Sequence, residues 1–250
     1  MSNISTYQLN LHDRGTVVSS LMRQFWPVAQ SILNQHLEQP ELTWRYVSTE
    51  RDEQPHVYLQ VSGGEQVHSH LVAHLAALSP SLQVCVVDQP PPSDEVISMQ
   101  VDLRPGRPIF VPSNLYFQPQ VDPVEQWPGL LMVGGNVTLL GIDVNLRPAS
   151  ADEHKERPNH FFARLRTNHY RPSSSQSWTA HIRVYGAGDA AAVSRRLWPL
   201  LRGYFSNYEG RSHFIFSTSK QPVSIKLTND EVAALCRPLP TRQRLTFASR

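Results

Sequence analysis

Apolar positions along this chain follow two rhythms. From Thr16 to Leu37, Val17, Val18, Leu21, Met22, Phe25, Trp26, Ala29, Ile32 and Leu33 recur at helical spacing and form one broad stripe. That pattern predicts a long helix lying across a sheet. Pro27 sits inside it and predicts a kink over Arg23 to Trp26. Thr43–Ser48 and His56–Val61 alternate instead, are rich in β-formers, and flank a polar turn at Thr49–Pro55, so they read as two strands. Gly63-Gly64 opens a helix over Glu65–Leu78 that Ser79-Pro80 stops, and Leu82–Val87 is a short apolar run of buried-strand type. Together these make a β-α-β unit with sheet partners before and after it.

Gln89-Pro90-Pro91-Pro92-Ser93 is a stiff connector. Val96–Leu103 alternates again, and Arg104–Phe117 is proline-punctuated and irregular. Asp122-Pro123 is placed to cap and start a short helix over Val124–Trp127. Asn136–Leu146 is apolar on both sides, which predicts a central strand. A charged loop (Ser150–Asn159), a strand end (Phe161–Thr167) and a serine-rich loop (Arg171–Ser177) lead to a second β-α unit. That unit has a strand over Thr179–Tyr185 and an amphipathic helix over Asp189–Phe205, whose buried stripe includes Val193, Leu197, Leu200 and Leu201. A further β run follows. A helix over Thr228–Leu235 begins with a capping box, Thr228-x-x-Glu231, and ends before Pro238. The expected fold is α/β of the α+β type: two ferredoxin-like two-layer sandwiches, with helices on one face of antiparallel or mixed sheets. The expected division is 1–105, 106–242 and a tail, 243–250.

With 250 residues and 40% apolar content the chain can bury a sizeable core. Its 20 prolines exceed the roughly 5% usual, consistent with many short elements. Cys85 and Cys236 make no disulfide framework and lack metal-ligand spacing, so a buried structural thiol is expected at each. The first residues lack the basic and apolar regions of a signal peptide, and the longest apolar stretch, Gly129–Ile142, is too short to span a bilayer. The near-neutral net charge of +2 conceals an asymmetry: residues 1–150 carry 7 Arg, no Lys and 14 acids, a net −7, and residues 151–250 carry 13 Arg, 3 Lys and 7 acids, a net +9. Positive charge held mostly as arginine suits bidentate contacts to phosphate or carboxylate.

Catalytic signatures are absent from the sequence. There is no P-loop and no nucleophile elbow. Gly186-Ala187-Gly188 lacks the third glycine of a dinucleotide turn, and Asp189 would repel pyrophosphate, so a plain tight turn is expected there. His70 and His74 share a helix face while His68 points away, which predicts a solvated face and no metal site. The residue-level expectation is therefore no enzyme, no cofactor and no metal. Arg164, Arg166, Arg183, Arg195, Arg196 and Arg202 are expected to form one basic surface for DNA backbone or an acidic partner face.

Leu227–Thr241, LTNDEVAALCRPLPT, resembles the segment that joins the N-terminal module of HerA-like and conjugative-transfer (type IV secretion coupling) ATPases to their motor domain. Val121-Asp122-Pro123 followed by VTLLGIDVNLRPAS, and the β-α unit Ile182–Phe205, are similar to that family in the same order. The resemblance covers about residues 100–241. It implies an adaptor domain for an ATPase that moves DNA or protein, with Thr228, Glu231 and Arg237 on the linker helix to the partner. The Walker motifs do not follow, since the chain ends nine residues after Thr241, and Cys236-Arg237 stands where the family tends to have an aromatic or histidine pair. The implied partner is a P-loop ATPase, as a separate or downstream polypeptide, with DNA contact and homo-oligomer formation as further options and no direct membrane insertion. A cytoplasmic location goes with this, including the inner face of the membrane through a partner. The alternative from a different class is a ferredoxin-like nucleic-acid-binding subunit of a defence or RNA-guided complex.

Overall fold

The structure, a computed structural model, describes residues 4–12, 18–36, 40–52, 54–87, 97–102, 131–149, 177–206, 215–217 and 224–239. In the first half, β1 (Ile4–Leu11), α1 (Val18–Asn34), β2 (Leu42–Thr49), β3 (His56–Ser62), α2 (Glu65–Ala77) and β4 (Leu82–Val87) follow in order. The second half has β5 (Ile97–Asp102), β6 (Val137–Pro148), β7 (Ser177–Gly188), α3 (Ala190–Ser206), β8 (Ile215–Ser217), β9 (Ile225–Thr228) and α4 (Asn229–Leu235).

The nine strands among the described residues belong to one sheet, ordered β4-β1-β3-β2-β6-β7-β5-β8, with β9 also beside β7. Every pairing is antiparallel. The first half has the β-α-β-β-α-β order with sheet order 4-1-3-2, the split β-α-β arrangement. The second half repeats the sheet order as 8-5-7-6, and among its described residues α3 joins β7 to β8. The second strand of each half, β2 and β6, pair along eight residues and fuse the halves into a single sheet. The two halves are thus joined edge to edge in one sheet. An α+β architecture with helices on one face is what the chain adopts.

Strand alternation sorts the side chains into two faces. Leu9, Trp44, Tyr46, Leu59, Ile142, Val144, Trp178 and Val184 point to the helix face and are buried in one cluster with Phe25, Trp26 and Ala29 of α1, Leu71 of α2 and Val193 of α3. At its centre Trp26 meets Trp178 edge-on at 5.5 Å between ring centroids and Trp44 at 5.6 Å. One aromatic group therefore straddles the β2–β6 seam, and both halves share a core. α1 carries Pro27 internally, as its sequence required.

Most predicted elements fall within two or three residues of the observed ones. The differences lie at β1, which the sequence reading did not identify, and at Gly186-Ala187-Gly188. That tripeptide ends β7 and is no separate turn, and Gly188 (φ +122°) comes so close to Asn136 and Val137 that a Cβ would strike them. Asp189 then precedes the helix, and its carboxylate accepts the Ala192 N–H at 2.9 Å. The connector 89–93, the helix at 124–127, the loop 150–159, the strand end 161–167, the loop from 171 and the tail 243–250 lie outside the described residues.

Candidate functional site

Two polar constellations stand out, one on each side of the sheet. The first lies on the face away from the helices. In β2, β6 and β7, Arg45 opposes Asp143, and Asp143 opposes Arg183. The Asp143 carboxylate accepts Arg45 Nε at 2.7 Å and Nη2 at 2.9 Å through its two oxygens, and Arg183 Nη2 at 2.8 Å. The side chains of Arg45 and Asp143 are only 6% and 2% exposed, so this is an interior ion cluster, while Arg183 is 26% exposed. Tyr185 sits two residues along β7, opposite Gly141. Its ring lies where a side chain at 141 would be, since a Cβ there would come within 2.6 Å of the hydroxyl oxygen. Arg183 stacks on that ring at 5.0 Å, and Arg45 lies 6.0 Å from its centroid. Burial, with the Asp143 charge adding to it, pushes the Tyr185 hydroxyl far above its ordinary range, so it stays a neutral donor. Arg45 is held charged by Asp143 against the desolvation that opposes it.

Around this cluster the same face is laid out as hydrogen-bonded polar pairs. Thr43 donates to Asn145 at 2.7 Å, and Gln60 donates to Thr6 at 3.2 Å. His56 lies between Asp52 (3.1 Å) and Gln8 (3.0 Å).

The second constellation is a latch on the helix face. Thr228 caps α4: its hydroxyl accepts the Glu231 N–H at 3.3 Å, and the Glu231 carboxylate accepts the Thr228 N–H at 2.7 Å. The capping box expected from the sequence is thus formed. Burial raises the Glu231 carboxyl above its ordinary value. Beyond α4, the Tyr46 hydroxyl shares its proton between the carbonyls of Leu235 (2.8 Å) and Arg237 (2.9 Å) and accepts the Arg237 N–H at 2.9 Å. Trp26 Nε1 donates to the Cys236 carbonyl at 3.3 Å, and Trp178 Nε1 to the Asn229 side chain at 2.7 Å. Leu235, Cys236, Arg237 and Leu239 are all buried. Burial pushes the Cys236 thiol and the Tyr46 hydroxyl well up, so neither ionises near neutral pH.

Of the six arginines expected to form one surface, Arg183 lies on one face of the sheet and Arg195 and Arg196 on the other. Arg183 faces away from the helices and is bound to Asp143, whereas Arg195 and Arg196 are exposed on α3, which packs on the opposite face. Arg195 donates to the Ala191 carbonyl one turn back. Arg202 lies near the end of α3, and Arg164 and Arg166 are outside the described residues. Thr228, Glu231 and Arg237 are engaged within the chain, as given above. Of the histidines, His68 is buried between Tyr7 and the Gly63 carbonyl, and His74 stacks on Phe25. Among the described residues no three potential metal ligands converge, and no helix is long and apolar enough to cross a membrane.

Sequence reasoning missed Arg45, Asp143, Tyr185 and Tyr46. A usable signal existed for one of them. Asp143 is the lone acid in a largely apolar central strand, where a carboxylate demands a cationic partner.

No family model matches the chain, and no curated protein matches its sequence. Among solved structures it is similar to 6-hydroxy-D-nicotine oxidase from Arthrobacter nicotinovorans, at 10% identity and a TM-score of 0.40 over 85% of this chain and 44% of the oxidase. A protein described as a chlorite dismutase matches at 9% identity and a TM-score of 0.26, over 94% of this chain and 100% of its own. The chlorite dismutase of Candidatus Nitrospira defluvii in complex with cyanide matches at 8% and 0.26, over 93% of each. All three are enzymes by name, so the expectation that this chain is not an enzyme is withdrawn. Similarity at such low TM-scores assigns it no activity, substrate or cofactor.

Proposed function

We propose that this chain is an assembly domain for a P-loop ATPase of the DNA-translocating or secretion type, acting in the cytoplasm. The resemblance of Leu227–Thr241 to the segment that precedes such motors supplies the partner class. The observation that carries the reading is the latch. A flexible tether would leave these backbone groups to water. Here the main chain from Leu235 to Arg237 is held by Tyr46 and Trp26, and the residues through Leu239 are buried. A body attached beyond Leu239 would inherit the orientation of the sheet. Rigid coupling of this kind is what an adaptor needs to position a motor, because a stiff joint passes on both orientation and force.

The test is co-purification from an extract of the source organism, with the tagged chain as bait in low and in high salt. A P-loop ATPase retained at high salt is the expected result. Nucleic acid that is lost at high salt, with no ATPase present, would overturn the reading in favour of a nucleic-acid-binding subunit, because phosphate contacts weaken as counterions are added.

A further inference from the structure

The interior ion cluster does not balance. Among the described residues two guanidinium groups share the one carboxylate of Asp143, which leaves one positive charge over. Asp143 is the acid that either arginine pairs with. The other groups acting on Arg45, Tyr185 and Tyr58, are tyrosines held neutral by burial. The excess charge lies at Arg183, whose side chain is 26% exposed and so open to a counter-anion from solvent. The geometry shows where one would go. Asp143 takes both Nε and Nη2 of Arg45, filling that fork, but takes only Nη2 of Arg183. Arg183 Nε is buried without a hydrogen-bond partner. The guanidinium is already oriented, stacked on Tyr185, and it is the member of the cluster that reaches solvent.

We propose that Arg183 is the anchor of an oxyanion-binding site on the face of the sheet away from the helices, taking a phosphate or carboxylate group on the unfilled edge of its guanidinium. Arginine suits such a group because its planar donors match two oxygens at once. Asn145 and His181, paired across β6 and β7 at the next position on this face, border the site. Arg45 and Asp143 serve to hold Arg183 in place.

Thermal unfolding of the intact chain tests this in inorganic phosphate, in acetate and in chloride, all at one ionic strength. Phosphate at ten times its dissociation constant should raise the folded-to-unfolded ratio about elevenfold over chloride. A shift in phosphate alone marks a phosphate-group ligand, and a shift in both phosphate and acetate marks a carboxylate as well. Arg183→Gln leaves a balanced Arg45–Asp143 pair, so it should stay folded and lose the anion-dependent shift. Arg183→Lys keeps the charge without the fork and should lose most of the shift. Equal wild-type midpoints in all three salts would overturn the proposal, as would an undiminished phosphate shift in Arg183→Gln.

Discussion

Replacing Asp143 with asparagine removes the one negative charge between buried Arg45 and part-exposed Arg183 while keeping the side chain's shape. At an effective dielectric of about 20, unit charges about 4 Å apart interact by about 4 kcal/mol, and Asp143 makes two such contacts. Desolvation already offsets part of that attraction in the wild type. The measured cost of removing one partner from a buried pair, about 3–5 kcal/mol, is therefore the better guide. For a chain of this size each kcal/mol moves the midpoint by about 2–4 °C, so Asp143→Asn should melt about 6–20 °C below the wild type. Urea unfolding followed by tryptophan fluorescence measures it, since Trp44 and Trp178 lie on the adjoining strands. The triple replacement Arg45→Met, Asp143→Leu, Arg183→Met separates the worth of the cluster from the cost of orphaning it, and should recover most of the loss. An Asp143→Asn protein within about 1 kcal/mol of the wild type would refute the reasoning, because the arginines would then be satisfied by something other than this carboxylate.

Three further outcomes follow from particular contacts. Tyr46→Phe leaves the Leu235 and Arg237 backbone groups without their partner and should cost about 2–4 kcal/mol; it should also make Cys236, fully buried in the wild type, react with a thiol reagent severalfold faster. Gly141→Ala forces the Tyr185 ring off its place and should cost about 1–3 kcal/mol by overpacking, measured by urea denaturation, although alanine suits a strand better than glycine. Glu231 has a carboxyl pKa raised by burial, so between its unfolded and folded values the native state holds the extra proton and stability falls as pH rises. The wild type should therefore lose stability relative to Glu231→Gln as pH is raised from about 4 through the folded value, and a difference that stays constant with pH would show that burial does not penalise this carboxylate.

How much of this was legible in the sequence depended on distance along the chain. Periodicity placed β2, β3, α2, β4, β6 and α3 because each buries a face of its own, and the Thr228–Glu231 capping box was readable because both partners lie within one helical turn. β1 alternates Tyr7, Leu9 and Leu11 with Thr6, Gln8 and Asn10, but its identity as a strand rests on partners 50 to 80 residues away, in β3 and β4. The fusion of the halves at β2–β6 was hidden for the same reason. So was the Arg45–Asp143 bond, whose partners lie 98 residues apart and whose register no local pattern fixes. The separation of Arg183 from Arg195 was hidden on a different point. Sequence places Arg183 and Arg195 close along the chain, but strand alternation turns Arg183 to the face opposite the one on which α3 packs.

In the proposed function, the latch on α4 makes this chain a rigid assembly domain for a motor. Co-purification of the wild type and of Tyr46→Phe, side by side in high salt, tests it most directly. A P-loop ATPase should be retained by the wild type and lost or sharply reduced with the latch variant under conditions where that variant remains folded. Equal retention of the ATPase by both proteins would contradict the role of the latch, and its absence from both would contradict the proposed function.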